Sequence, residues 1–75
     1  MNYKLLKSQD RQFLIERTDY PEHDTYTLYI RFYHNNAPYF QAYDYGLIED
    51  RDESWDEIDI TECQIAYTNI VASLN

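Results

Sequence analysis

Residues 25–34, TYTLYIRFYH, alternate two sets of side chains without a break. Tyr26, Leu28, Ile30 and Phe32 make one set; Thr27, Tyr29, Arg31 and Tyr33 make the other. A period of two in β-branched and aromatic types specifies a strand and excludes a helix. Asn35-Asn36-Ala37-Pro38 follows as a turn, because Asn tolerates positive φ and Pro ends ladder pairing. A second strand over 39–45, YFQAYDY, then returns alongside the first.

Two registers are open to this hairpin. A three-residue loop, Asn35–Ala37, sets Phe32 against Phe40 and Ile30 against Ala42 on an apolar side. It sets Tyr33 against Tyr39, Arg31 against Gln41 and Tyr29 against Tyr43 on the other. A two-residue loop pairs Phe32 with Tyr39 and Ile30 with Gln41, which turns Gln41 toward the core. The first separates apolar from amphipathic side chains and is the register expected. It predicts a second face of four tyrosines, Tyr29, Tyr33, Tyr39 and Tyr43, around Arg31.

On the N-terminal side, 3–7 (YKLLK) and 12–17 (QFLIER) are short apolar runs around a turn at Ser8–Arg11. They read as a hairpin, with a short N-terminal helix as the alternative. A loop over Thr18–Asp24 is expected, broken by Tyr20-Pro21, and Gly46 is expected to end the strand that begins at Tyr39. On the C-terminal side, Cys63, Ala66, Tyr67, Ile70, Val71 and Leu74 recur at i, i+3, i+4, i+7, i+8 and i+11, one stripe of a helix. Thr61 with Gln64 is its capping box. The expected fold is α+β: a two-layer single domain, 1–75, whose antiparallel sheet of three to four strands packs on one C-terminal helix of about 61–74.

Charge is distributed unevenly along the chain. The formal net charge is −8, and residues 44–62 hold nine carboxylates (Asp44, Glu49, Asp50, Asp52, Glu53, Asp56, Glu57, Asp59, Glu62) against Arg51 alone. Residues 1–43 carry five acids and five bases and are neutral. Ser54 with Glu57 offers the cap of a single helical turn inside this strip, and Ile58-Asp59-Ile60 a short extended piece. Trp55 is the residue expected to pin the strip to the core. Such a surface repels nucleic acid and anionic membranes and attracts basic proteins.

Chemistry finds little purchase here. Asp50-x-Asp52-x-Ser54-x-Asp56 spaces oxygens like the start of a calcium loop, but the positions that need Gly and Glu hold Trp55 and Thr61, so no metal site is expected. His23 and His34 fall in a loop and near a hairpin tip, and Cys63 sits on the buried stripe, where a thiol is inert. No phosphate loop, nucleophile elbow or paired Cys/His ligands occur, so no catalytic residue, no cofactor and no enzyme are expected. A tyrosine sheet could stack bases, but Arg31 is the one base on that face, and nucleic-acid affinity rests largely on phosphate neutralisation. A single cysteine and an N-terminus, MNYKLLKSQD, without an apolar run lead to the expectation of a cytosolic protein of the producing or infected cell.

The chain is short, acidic, poor in cysteine and rich in tyrosine, with nine Tyr in 75 residues. In these traits it resembles the small phage-encoded anti-defence inhibitors, of anti-CRISPR and anti-restriction type. The resemblance is one of composition over the whole chain and carries no motif. It implies a non-enzymatic inhibitor that occupies a basic, nucleic-acid-binding surface of another protein. The residues expected to meet that partner are Asp44, Glu49, Asp50, Asp52, Glu53, Asp56, Glu57 and Asp59, flanked by Tyr43, Tyr45 and Trp55. An antitoxin or immunity protein blocking a basic nuclease is the alternative. A third is a structural or assembly protein that pairs with its own copy through Tyr29, Arg31, Tyr33 and Tyr39.

Overall fold

A computed structural model describes residues 2–74. Strands β1 (Tyr3–Lys7), β2 (Gln12–Tyr20), β3 (Thr25–His34) and β4 (Ala37–Leu47) form one antiparallel sheet in sequence order. A 3-10 turn over Ile48–Asp50 leads into helix α1 (Arg51–Glu57), and helix α2 (Ile60–Ala72) follows. Both helices lie on one side of the sheet, so the fold is the expected α+β with two layers. It has one helix more than expected, because the acidic strip is itself helical. β3 has the predicted bounds.

Alternation divides the sheet cleanly. Phe13 and Ile15 of β2, with Tyr26, Leu28, Ile30 and Phe32 of β3, are buried toward the helices and meet Ile58 and Cys63. Among the described residues the core closes on these eight side chains, with Leu6, Tyr39, Tyr43, Trp55, Ile60, Ala66, Tyr67 and Ile70 packed around them. Phe32 stacks on Tyr39 at 5.6 Å between centroids, and Tyr67 of α2 meets Phe32 edge-on at 5.1 Å. Arg11 lies over the Tyr67 ring at 3.6 Å.

The β3–β4 register corrects the sequence expectation. Phe32 lies opposite Tyr39, Ile30 opposite Gln41 and Arg31 opposite Phe40, across a two-residue turn. Asn35 and Asn36 both adopt positive φ, 53° and 64°, as the tight primed turn of a hairpin requires. Gln41 does face the helix side, yet it is exposed. β4 is an edge strand that α2 does not cover, so the polar side chain never enters the core. Edge position also explains Pro38, whose missing N–H removes no ladder bond on an open edge.

Further corrections follow from pairing. β2 runs on through Thr18–Tyr20, which pair with Thr25–Thr27, so the loop shrinks to a 3-10 turn at Pro21–His23. Gly46 lies inside β4, opposite Tyr26, instead of ending the strand. A Cβ there would stand 3.1 Å from the Tyr26 hydroxyl, so the glycine is set by that ring. Helix α2 begins at Ile60, earlier than expected. Asp59 is its N-cap, accepting from the Glu62 amide at 2.9 Å, in place of Thr61. Leu74 falls beyond the end of α2 and is exposed.

Candidate functional site

The acidic strip is built as an ordered ridge. Tyr26 reaches from the sheet and donates to Ser54 Oγ at 2.8 Å. Trp55 is half-buried, with Lys4 Nζ over its ring at 4.6 Å and Arg17 at 5.2 Å, and Lys4 also donates to its carbonyl. Trp55 therefore pins the strip, as expected, and is itself held by β1 and β2. Arg51 joins Asp19 at 2.7 Å and Asp52 at 3.2 Å, fastening the start of α1 to β2.

These contacts use up most of the bases and few of the acids. Arg31 pairs with Glu16 on the far face of the sheet. Among the described residues Asp52 is the one carboxylate of the strip in an ion pair, with Arg51 and, at 3.9 Å, Arg17. Glu49, Asp50, Glu53, Asp56, Glu57 and Glu62 are exposed and unpaired there. Asp59 spends one oxygen on its cap.

Beside the ridge, α2 and the uncovered edge strand β4 leave a cleft of about 560 Å³. Asp44, Glu57 and Glu62 rim it; Ile30, Ile58, Ala66 and Ile70 line it. Its cause is geometric. A helix about 10 Å across covers roughly two strands spaced ~4.8 Å apart, and Tyr67 draws α2 toward β2 and β3. Tyr43 stands in the cleft. Burial, and then Cys63, Glu62, Asp44 and Asp59 around it, push its hydroxyl up to about 12. Tyr43 faces the cleft by the alternation that runs from Tyr39 and Gln41, and a bulge brings Asp44 in beside it: the register shifts between Leu28 and Tyr29, so that Tyr29 faces Ala42 and Leu28 faces Asp44.

The residues predicted from sequence thus divide. Tyr43, Asp44 and Glu57 come together at the cleft, and Glu53 and Asp56 share α1 with Glu57. Tyr45 does not join them. It lies opposite Thr27 on the far face of the sheet and is 79 % exposed. The four-tyrosine face does not form either: Tyr39 and Tyr43 turn to the helix side, and Phe40 takes the place beside Tyr29 and Arg31. Glu62, Ile65 and Ala66 of the cleft were not among the expected site residues: the helix stripe placed Ala66 only as core, Glu62 counted only as part of the acidic strip, and periodicity gives no signal for Ile65.

Asp50, Asp52, Ser54 and Asp56 lie on a turn and a helix, and among the described residues no three His, Cys, Asp or Glu side chains gather as a metal would need. His34 is held by Tyr67 Oη at 2.7 Å, His23 is exposed, and Cys63 is buried in the core. Among the described residues no helix is long and apolar enough to cross a membrane. Comparison with protein-family models, curated proteins and solved structures finds no match.

Proposed function

We propose that this protein is a non-enzymatic inhibitor that seats its acidic ridge on the basic, nucleic-acid-binding surface of another protein in the cytoplasm, as an anti-CRISPR or other anti-defence protein of a phage does. The observation that carries this is the set of ordered, unpaired carboxylates on α1 and the start of α2, two of which, Glu57 and Glu62, rim a cleft together with Asp44.

Two features of α1 support the reading. Asp52 and Asp56, and Glu53 and Glu57, are like charges at i and i+4, each pair costing about 0.2–0.5 kcal/mol of helix stability. Asp56 and Glu57 also occupy the last turn, where the helix dipole opposes anions and no base is present. Folding gains nothing from this placement. A partner rich in Lys and Arg does gain, through steering and through complementary contact. The cleft suits one such side chain: its aliphatic stem lies along Ile58, Ile65 and Ile70, and its cation meets Asp44, Glu57 and Glu62.

Capture from the host on the tagged protein, in low salt, tests this. The retained protein should be one that binds nucleic acid, and added duplex DNA should displace the inhibitor from it. Moderate salt should release it. Joint neutralisation by Glu53→Gln, Asp56→Asn, Glu57→Gln and Glu62→Gln should weaken binding at least about tenfold. A partner held equally well in high salt, or by the neutralised variant, would overturn the proposal.

A further inference from the structure

Among the described residues, six of the eight large hydrophobic side chains that stay exposed, Tyr3, Leu5, Tyr33, Phe40, Tyr45 and Leu47, stand on the face of the sheet turned away from both helices. This face is separate from the acidic ridge and from the cleft. At its middle Tyr29 stacks on Phe40 at 4.9 Å, Arg31 lies over Phe40 at 4.5 Å, and Tyr20 and Tyr29 share a hydroxyl hydrogen bond of 2.9 Å. The patch is therefore preformed, with its central side chains fixed by one another. Contiguous apolar patches of this kind mark contact surfaces.

We propose that this open face is the interface of a homodimer, two copies packing sheet against sheet about a two-fold axis. Charge selects the occupant. In a chain of net charge −8 the face holds one acid, Glu16, already paired with Arg31 at 3.1 Å, and one further base, Lys7. A basic partner meets nothing complementary there. A second copy meets a near-neutral apolar surface, and the two helix layers with their carboxylates are left on the outer sides of the pair, where mutual repulsion is weakest.

Area sets the strength. Strands of five, nine, ten and eleven residues, at ~3.4 Å per residue and ~4.8 Å between strands, make a face of roughly 570 Å². Two such faces bury roughly 1,100 Å², near the lower bound of specific interfaces, which gives a reversible, concentration-dependent dimer. Its product is a bivalent molecule with one acidic ridge on each outer side.

Light scattering and sedimentation of the protein alone, from micromolar to near-millimolar concentration, test this. The average mass should rise from 9.2 kDa toward twice that value. The rise should persist in moderate salt, unlike capture by the acidic ridge, so the two proposals fail separately. Tyr33→Glu with Tyr45→Glu, at positions 69 % and 79 % exposed, should keep the parent's circular dichroism and stay monomeric throughout. Leu5→Glu, on the opposite edge strand, should weaken association by at least about tenfold. A parent protein that is monomeric at every concentration, or folded variants that associate like the parent, would overturn the proposal.

Discussion

The hydroxyl of Tyr26 donates to Ser54 Oγ at 2.8 Å, and through this bond a core residue of the sheet holds the acidic helix α1 in place. The ring is fully packed, with Gly46 against one side, so the hydroxyl has one direction in which to point. Tyr26→Phe removes the donor and leaves the Ser54 hydroxyl without its partner. The expected loss is about 1 kcal/mol of stability, with faster amide exchange across residues 51–57. Denaturant titration followed by Trp55 fluorescence measures the first, and hydrogen exchange the second. Unchanged exchange in α1 would show that the bond does not anchor it.

The β3–β4 turn makes a second prediction. Asn36 sits at φ 64°, where an L-residue is strained and glycine is not. Asn36→Gly should therefore raise stability by about 0.5 kcal/mol, and Asn36→Val should lower it by about 1–2 kcal/mol. Denaturant midpoints at unchanged slope are the readout. A glycine variant no more stable than the parent would mean that the turn is held by its flanking strands alone.

Alkaline pH should destabilise the protein through Cys63 in the core and Tyr43 in the cleft. Burial, then Asp59, pushes the Cys63 thiol up from 9.0 to about 11, and burial, then Cys63 and the neighbouring carboxylates, pushes Tyr43 from 10.0 to about 12. Both are neutral when folded, and the unfolded chain loses these protons first. The stability they lend is complete below about pH 9 and falls as pH rises through 11 and 12. Urea midpoints taken between pH 7 and 11 should fall most steeply above pH 9, and a thiol reagent at pH 8 should label Cys63 only after denaturant is added. Rapid labelling of the native protein would contradict the burial of Cys63.

How far the fold could be read from sequence depended on which forces acted locally. β3 was legible because its ten residues alternate without exception, and α2 because its stripe repeats over three turns. The hairpin register was not. Rejecting the two-residue turn rested on keeping Gln41 out of the core, which assumes that every inward position of a strand is covered. In a four-stranded sheet under a single long helix, edge positions are not, and Gln41 points inward into solvent. The acidic ridge was legible as charge, and its anchoring through Trp55 as hydrophobicity. The cleft was not, because it arises where α2 stops short of β4 and no run of residues encodes that distance.

The bulge at Tyr43 decides which way the last residues of β4 face. Were β4 to keep the pairing it has from Ala37 to Ala42, Asp44 would face Thr27, Gly46 would face Thr25, and Tyr45 would press its ring onto Tyr26. The extra residue reverses that parity for the last part of the strand. It gives Asp44 to the cleft, Gly46 to the Tyr26 ring and Tyr45 to the open face. Closing the bulge at unchanged length would exchange the inner and outer sides of the strand end, whereas deleting Tyr43 would close it and leave Asp44, Tyr45 and Gly46 facing as they do. Tolerance to sequence change in β4 is therefore a matter of register before it is one of chemistry.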